Sequence, residues 1–277
     1  MSGKLYVVGT PIGNLSDLSP RAVQTLADVD FIAAEDTRVT LKILNHFGIK
    51  KEAVSYYEHN KREKGELICA RIAAGEDCAI VTDAGMPAIS DPGRELVQQC
   101  HEKGIQVVSV PGPTAFATAL AISGMDTGRF TFEGFLSVSK KSRFEHLDEI
   151  KDEKRTMVFY EAPHKLASTL ADLYSALGNR EIAIVREITK IHEEVIKTTL
   201  KDANELYGDG HLKGEMVLII EGKNQETKQE ITLDDAVKKA AALVQSGMTM
   251  SRAAKEAAAS SPFKKSDIYK ELLESEI

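Results

Sequence analysis

The chain of 277 residues is 43% hydrophobic and 28% charged, and it carries a formal net charge of −7. These fractions are typical of globular proteins, and the acidic balance argues against a general nucleic-acid coat while leaving room for a local basic patch. No apolar run approaches the roughly eighteen residues of a membrane span, and the first residues lack the layout of a signal peptide, so we expect a cytoplasmic protein.

The three cysteines, Cys69, Cys78 and Cys100, are odd in number, widely spaced and embedded in apolar patterns. We interpret them as reduced residues of the core rather than as disulfides or metal ligands. The sequence therefore predicts neither a disulfide framework nor a metal site.

Five short apolar runs alternate with helical patterns over the first 124 residues. The runs are Lys4–Val8, Phe31–Ala34, Val54–Tyr57, Cys78–Val81 and Val107–Val110. Such alternation predicts an α/β domain with a parallel sheet over residues 1–124.

Three of these runs end in loops rich in glycine and proline, at 9–15, 83–93 and 111–115. Ligands of doubly wound sheets bind beyond the carboxyl ends of the strands, and glycine lets the backbone approach a bound molecule closely. We therefore predict that the loop at 83–93 forms the floor of a ligand site. The alternative is a tight surface connection, because Asp, Gly and Pro are also ordinary turn residues. The loop at 9–15 matches neither the dinucleotide fingerprint nor a P-loop.

Charged side chains follow the second and third predicted strands. Glu35, Asp36 and Arg38 come directly after Ala34, and His59 follows Tyr57. A functional cluster and a plain helix start with favourable acids both fit the first group. His59 is either an acid/base group or a hydrogen-bonded loop residue.

A second domain is predicted over residues 125–224. Its apolar runs are Phe130–Leu136, Thr156–Tyr160, Ile182–Val185, Val195–Leu200 and Val217–Ile220. The short connections predict a mixed sheet, with an antiparallel hairpin over 182–200. We interpret residues 137–143 as a polar loop whose Lys140, Lys141 and Arg143 are either solvated or grip phosphate.

The remainder, residues 225–277, is predicted to be a small helical module. A polar linker at 224–230 precedes three helical patterns, at Leu233–Val244, Met250–Ala259 and Ser266–Leu273. The tight break between the last two resembles a helix-turn-helix. Its charges nearly cancel, so a packing role and an RNA-docking role are equally compatible with it.

Eight motifs together carry a resemblance to a known family. They are Gly9–Leu15, Glu35–Arg38, Asp83–Gly93, Pro111–Pro113, Gly134–Leu136, Phe159–His164, Arg186–Lys190 and Gly214–Glu215. In this order they resemble the ribosomal RNA small subunit methyltransferase I family of the tetrapyrrole methylase superfamily, from about residue 4 to 222. The one departure is Met86, where the family pattern has a small polar residue.

The resemblance implies two α/β domains with S-adenosylmethionine bound in the cleft between them, and a homodimer. It also implies methyl transfer to the ribose 2′-hydroxyl of a cytidine in the decoding region of small-subunit (16S) ribosomal RNA, with either the RNA or the assembled subunit as partner. By position, the residues expected to bind the cofactor are Pro11, Asp83, Gly85, Ile89, Pro113, Thr114, Ala115, Tyr160 and Met216.

An in-line displacement depends on alignment of the reacting atoms, and a ribose hydroxyl that loses its proton benefits from a positioned base. The catalytic candidates are Glu35, Asp36, His59, Glu187 and Lys190, of which Lys190 can instead hold the developing alkoxide. Contacts with phosphate position a nucleic acid, and the candidates for them are Arg38, Arg62, Lys140, Lys141, Arg143 and His164.

Two rival interpretations stay open. A tetrapyrrole C-methyltransferase of the same fold needs an enclosed, more apolar acceptor cleft, which the charged groups at 35–38, 59–62 and 140–143 fit poorly. The interpretation as a non-catalytic ribosome-binding factor does not explain why so many polar residues occur at the strand ends.

Overall fold

The computed structural model describes residues 2–210, 212–223 and 232–274. Up to residue 223 the described chain forms one compact unit with two five-stranded sheets, and the described residues 232–274 belong to a second unit. The predicted division near residue 124 falls between the two sheets. Because both sheets belong to one compact unit, their status as separate domains stays a prediction.

The first half alternates strands and helices in the predicted manner. Its elements are β1 (Lys4–Val8), α1 (Pro20–Asp28), β2 (Phe31–Ala34), α2 (Thr37–His46), β3 (Glu52–Ser55), α3 (Lys61–Ala73), β4 (Cys78–Val81), α4 (Arg94–Glu102), β5 (Gln106–Val110) and α5 (Ala115–Ser123). The strands are all parallel, in the order β3-β2-β4-β1-β5. The predicted third strand was displaced by two residues, because Tyr56 is buried like a strand residue although β3 has already ended.

The strands β2 and β4 are wholly apolar because helices cover both faces of the sheet. In β4, Cys78 and Ile80 join one core cluster, whereas Ala79 and Val81 join the cluster on the opposite face. All three cysteines are buried and free.

The strand order also creates a crevice. β1 and β4 are neighbours, but the chain leaving β1 runs to β2 on one side and the chain leaving β4 runs to β5 on the other. With right-handed crossovers the two connections take opposite faces of the sheet. Ligands of such sheets bind where two neighbouring loops part in this way.

The second sheet is mixed. Its elements are β6 (Phe130–Phe135), α6 (Lys140–Ile150), β7 (Thr156–Glu161), α7 (Leu166–Leu177), β8 (Glu181–Arg186), β9 (Glu194–Thr199), α8 (Leu200–Tyr207) and β10 (Met216–Ile220). The order is β6-β7-β10-β8-β9, with β6 parallel to β7 and the remaining pairs antiparallel. The pairing of β8 with β9 confirms the predicted hairpin.

The interpretation of residues 137–143 as a polar loop was wrong, because α6 begins at Lys140. Lys140 and Lys141 are exposed, but Arg143 is buried on the inner face of α6. Its guanidinium donates to a carboxylate oxygen of Asp172 at 2.6 Å and to the hydroxyl of Thr169 at 2.9 Å, both on α7. Arg143 therefore joins two helices and is not available to phosphate.

The second compact unit contains the three predicted helices, α9 (Leu233–Gln245), α10 (Met250–Ala259) and α11 (Lys265–Glu274). Thr232 begins α9 with a reciprocal capping box to Asp235, and alanines dominate the core between the helices. The predicted linker at 224–230 lies outside the described residues. Among the described helices, none combines the length and apolar character needed to cross a membrane.

Replacing Arg143 by alanine should lower the free energy of unfolding by about 3 kcal/mol, because the partly buried carboxylate of Asp172 and the buried hydroxyl of Thr169 lose the guanidinium that donates to them. Urea unfolding followed by circular dichroism measures the change. Lys141→Ala is the matched control, since its contact with Glu145 is an exposed pair at 3.8 Å and should change the same quantity by no more than about 0.5 kcal/mol. Equal effects of the two changes would contradict a structural role for Arg143.

Candidate active site

The loops after β1 and β4 are fastened together at the crevice. Thr10 and Gly85 exchange two backbone hydrogen bonds, of 2.9 and 3.1 Å, and the Thr10 hydroxyl donates to the carbonyl oxygen of Thr82 at 3.0 Å. Thr10 is buried, so water cannot replace these bonds readily. Gly85 has φ +88°, a conformation that side chains rarely adopt.

The loops after β1 and β5 touch directly through their backbones. A Cβ added to Gly112 would lie 2.8 Å from the Cα of Gly9, and a Cβ added to Gly9 would lie 2.7 Å from the sulfur of Met86. Both distances are shorter than any ordinary contact, so neither position accommodates a side chain without movement. The loops that follow β1, β4 and β5 are thus held as one rigid set.

A cavity of about 510 Å³ lies between this set of loops and the second sheet. Its other wall is made by the end of β7, the loop after β8 and the start of β10. Cavities of about 300–1,000 Å³ with a few converging polar groups are typical of small-molecule sites. We refer to it below as the cleft.

Most residues that the sequence nominated for a cofactor lie in the wall of the cleft. They are Asp83, Gly85, Ile89, Thr114, Ala115, Tyr160 and Met216. Pro11 and Pro113 do not line the cleft: Pro11 is buried behind the first loop, and the carbonyl of Pro113 lies 3.6 Å from the Cβ position of Gly85. These prolines shape the loops from behind.

Five carboxylate residues line the cleft, and three of them, Glu35, Asp83 and Asp91, follow strands of the first sheet. Glu35 accepts from the Thr82 hydroxyl at 2.6 Å and from the Asp83 amide at 3.4 Å. Burial, reinforced by the charge of Glu35, raises the pKa of Asp83, and the same two causes raise the pKa of Asp91 to about 6. Because the carboxylates destabilise one another as anions, the site favours a ligand that carries positive charge.

Of the five predicted catalytic residues only Glu35 lines the cleft, and two of the other four, Asp36 and His59, have other surroundings. Asp36 caps α2 by accepting from the Arg38 amide at 2.8 Å, and it pairs with the Arg38 guanidinium at 2.6 Å. That hydrogen-bonded pair lowers the pKa of Asp36 to about 2, which makes it a weak base. His59 is exposed in the turn that precedes α3.

Lys190 and Glu187 belong to a charged group at the edge of the cleft. The Lys190 ammonium lies 3.1 Å from a carboxylate oxygen of Glu187 and 2.9 Å from one of Glu215, and Glu215 lines the cleft. Burial alone would lower the pKa of Lys190, but the two carboxylates outweigh it and raise the pKa. Lys190 is therefore a fixed positive charge at neutral pH, not a proton acceptor.

A second cavity of about 520 Å³ adjoins the cleft and shares Glu35 and residues 89–91 with it. Its remaining lining includes Tyr57, Glu58 and Arg94. Two neighbouring cavities with a common wall suit a reaction between two bound molecules. Asp91, which the sequence analysis did not nominate, lies in that common wall.

The cationic residues nominated for RNA fall into two groups. Arg38, Arg62, Lys140, Lys141 and His164 are exposed. Arg143 is the correction described above, since its charge is satisfied inside the protein. His164 follows Pro163, which lines the cleft.

Several residues of the cleft had no distinct signal in the sequence. They are Ile12, Met86, Phe135, Glu161, Ile188 and Val217. Each occurs at a strand end within or beside a recognised motif, but apolar residues in such places predict core packing equally well. Only the folded arrangement turns them towards a common space.

Comparison with known proteins places the chain among methyltransferases. The family model of tetrapyrrole (corrin/porphyrin) methylases matches residues 4–204. The ribosomal RNA small subunit methyltransferase I of Synechocystis sp. is 43% identical over 99% of both chains. The protein of the same name from Escherichia coli O157:H7 is 42% identical, covering 98% of this chain and 95% of its own. The one from Thermotoga maritima is 45% identical over 80% of this chain and 99% of its own.

Solved structures with low sequence identity share the fold. A cobalt precorrin-4 methyltransferase superposes with a TM-score of 0.59 at 17% identity, over 79% of this chain and 94% of its own. A diphthine synthase superposes with a TM-score of 0.61 at 12% identity, over 80% of this chain and 90% of its own. At these identities the likeness concerns the architecture and not the substrate.

Gly112→Ala should push the loops after β1 and β5 apart, lowering the free energy of unfolding by about 1–3 kcal/mol and weakening the binding of the methyl donor, with S-adenosylmethionine as the probe, by about tenfold or more. Calorimetric titration and urea unfolding measure the two effects. Gly104→Ala is the matched control: a Cβ there meets nothing within 4 Å, so only the strain of its positive φ, about 1 kcal/mol, should appear. Unchanged binding in Gly112→Ala would show that the loop contact does not shape the site.

Proposed function

This chain belongs to the ribosomal RNA small subunit methyltransferase I family of the tetrapyrrole methylases, and on that premise we propose that it methylates the ribose 2′-hydroxyl of a cytidine in the decoding region of small-subunit (16S) ribosomal RNA, with S-adenosylmethionine as donor. The observation that carries the proposal is the carboxylate-lined cleft with a second cavity beside it. We place the protein in the cytoplasm, as a homodimer acting on the RNA or the assembled subunit.

The residues of the cleft fit the proposed cofactor. Asp83 offers an anionic partner to the positive charge of the cofactor, while Ile12, Met86 and Val217 provide apolar surface for an adenosine. Gly85 and the loop after β5 leave backbone groups accessible without side-chain bulk. When bound, S-adenosylmethionine supplies a methyl group activated by the sulfonium. We propose that the nine residues nominated from the sequence hold it, with Pro11 and Pro113 acting through loop shape.

Asp91 is the best-placed group to accept the proton of the ribose hydroxyl. It lies in the wall common to both cavities, and its pKa of about 6 is close to that of an efficient base at neutral pH. Among the five bases nominated from the sequence, Glu35 alone lines both cavities, and we assign it the orientation of Thr82 and of the Asp83 backbone. Lys190 is suited to stabilise the developing alkoxide.

The exposed cations at 38, 62, 140, 141 and 164 are proposed to position the RNA through its phosphates. None of them is needed to explain the fold, since the ion pairs of Arg38 with Asp36 and of Lys141 with Glu145 lie at the surface. Their contribution should be strongly salt-dependent, because each phosphate contact releases counterions.

The proposal is tested by transfer of labelled methyl from S-adenosylmethionine to purified small ribosomal subunits that lack ribose methylation. Free ribosomal RNA and a tetrapyrrole are the comparison acceptors. We expect label on a cytidine ribose, and the ratio of subunit to free RNA shows which surface is recognised. Label in the tetrapyrrole alone would establish the rival C-methyltransferase, and bound cofactor without transfer to any acceptor would establish the non-catalytic rival.

If Asp91 is the base, kcat/KM should rise with pH through about 6, because only the deprotonated carboxylate accepts a proton. Asp91→Asn should remove that rising limb and lower the plateau about 100-fold. Stopped assays between pH 5 and 9 measure both. Glu58→Gln, which changes a carboxylate of the second cavity only, is the control. If Asp91→Asn binds the cofactor poorly but keeps kcat and the rise of kcat/KM with pH, Asp91 acts in cofactor binding instead.

A further inference from the structure

The edge strand β6 contains an irregularity that changes the direction of its last side chain. Phe132 pairs with Val158 of β7, but Gly134 pairs with Phe159 and Phe135 with Tyr160, so one extra residue is inserted at Glu133. Gly134 has φ +65°, as the glycine of a bulge commonly does. Bulges of this kind often re-aim a side chain beside an active site.

Without the extra residue, Phe135 would share a face with Phe159, whose side chain is buried under α6 and α7. With it, Phe135 shares the face of Phe132 and Tyr160, which border the cleft side of the sheet. The ring of Phe135 lines the cleft, yet 57% of the residue remains exposed. The fold thus carries a large apolar ring out of its core to the mouth of the cleft.

The ring has a firm support behind it. Its centroid lies 5.4 Å from that of Tyr160, and Tyr160 in turn packs against Phe132 at 5.0 Å. The hydroxyl of Tyr160 accepts from the Phe116 amide at 3.3 Å, which fixes the tyrosine on α5. Phe135 is therefore backed on one side and open on the other, the arrangement of a stacking platform.

We propose that Phe135 stacks on the base of the acceptor nucleotide, an inference that rests on the proposed function. A ribose that reacts inside a cleft requires its nucleotide to leave the RNA stack, and an aromatic ring restores the lost stacking. The loops that fit the cofactor form the opposite wall. The exposed Lys140 and Lys141 begin α6 five residues further along the chain, so a ring and two cations follow one another as in single-strand binding surfaces.

The test compares Phe135→Ala with Phe135→Trp in the full chain. Loss of one stacked base should raise KM for the small subunit, or lower the affinity for its RNA, about 5- to 150-fold, with kcat changed less. The tryptophan variant should keep KM within about threefold of the wild type. The affinity for S-adenosylmethionine should be unchanged in both.

Phe144→Ala is the matched control, because Phe144 is 51% exposed on α6 and does not line the cleft. An unchanged KM in Phe135→Ala would overturn the proposal. A parallel loss of cofactor affinity would assign the ring to the adenine of the cofactor, and a changed molecular mass in light scattering would assign it to a contact between subunits.

Direct RNA binding keeps this inference distinct from the proposed function. RNA that the wild type binds but does not methylate, with an affinity that falls in Phe135→Ala, would refute the chemistry and leave the platform standing. Methylation of RNA by the wild type, with an equal RNA affinity in the wild type and in Phe135→Ala, would support the chemistry and refute the stacking role of Phe135.

Discussion

The site depends on three loops that cannot move apart independently. Gly9 and Gly112 are in backbone contact, and Thr10 and Gly85 exchange two hydrogen bonds at the point where the sheet connections part. The parting of the two connections beyond β1 and β4 leaves only a crevice by itself. The junction of backbones gives that crevice a fixed floor, so that residues from β2 and β4 can face residues of β7 and β10 at constant separation. Pre-organisation of this sort limits what the protein must reorder when it binds a ligand.

In the protein without ligand, the carboxylates of the cleft repel one another. Glu35, Asp83 and Asp91 are held near one another in a half-buried place, where each anion disfavours the others. Elsewhere in the described chain, two carboxylates that are drawn close to cations, Asp36 and Glu187, have lowered pKa values. The contrast indicates that the carboxylates of the cleft are suited to a positively charged group that comes from a ligand.

Much of the fold was predictable because short apolar runs alternate with glycine-rich loops and helical patterns. The errors have definite causes. Arg143 occurs in a polar stretch, and its partner Asp172 is 29 positions away, so local pattern alone assigned it to a polar loop in contact with RNA. Tyr56 looks like a strand residue because it is buried and its amide donates to the Ala34 carbonyl at 2.8 Å, although β3 ends at Ser55. The raised pKa of Asp91 depends on its burial and on the charge of Glu35, which is distant in sequence, and hence no single motif predicted it. The roles of the nominated site residues stay predictions.

The bulge in β6 has a consequence for how copies of the protein associate. β6 is an edge strand, and an edge presents a row of unpaired amides and carbonyls onto which another strand can add. The extra residue at Glu133 and the left-handed Gly134 interrupt that row near its end. A straight partner strand therefore cannot keep a regular hydrogen-bond register along the whole of β6. We therefore expect the sheet to resist extension by strand addition along β6, and the proposed homodimer to be built from side-chain packing on another surface.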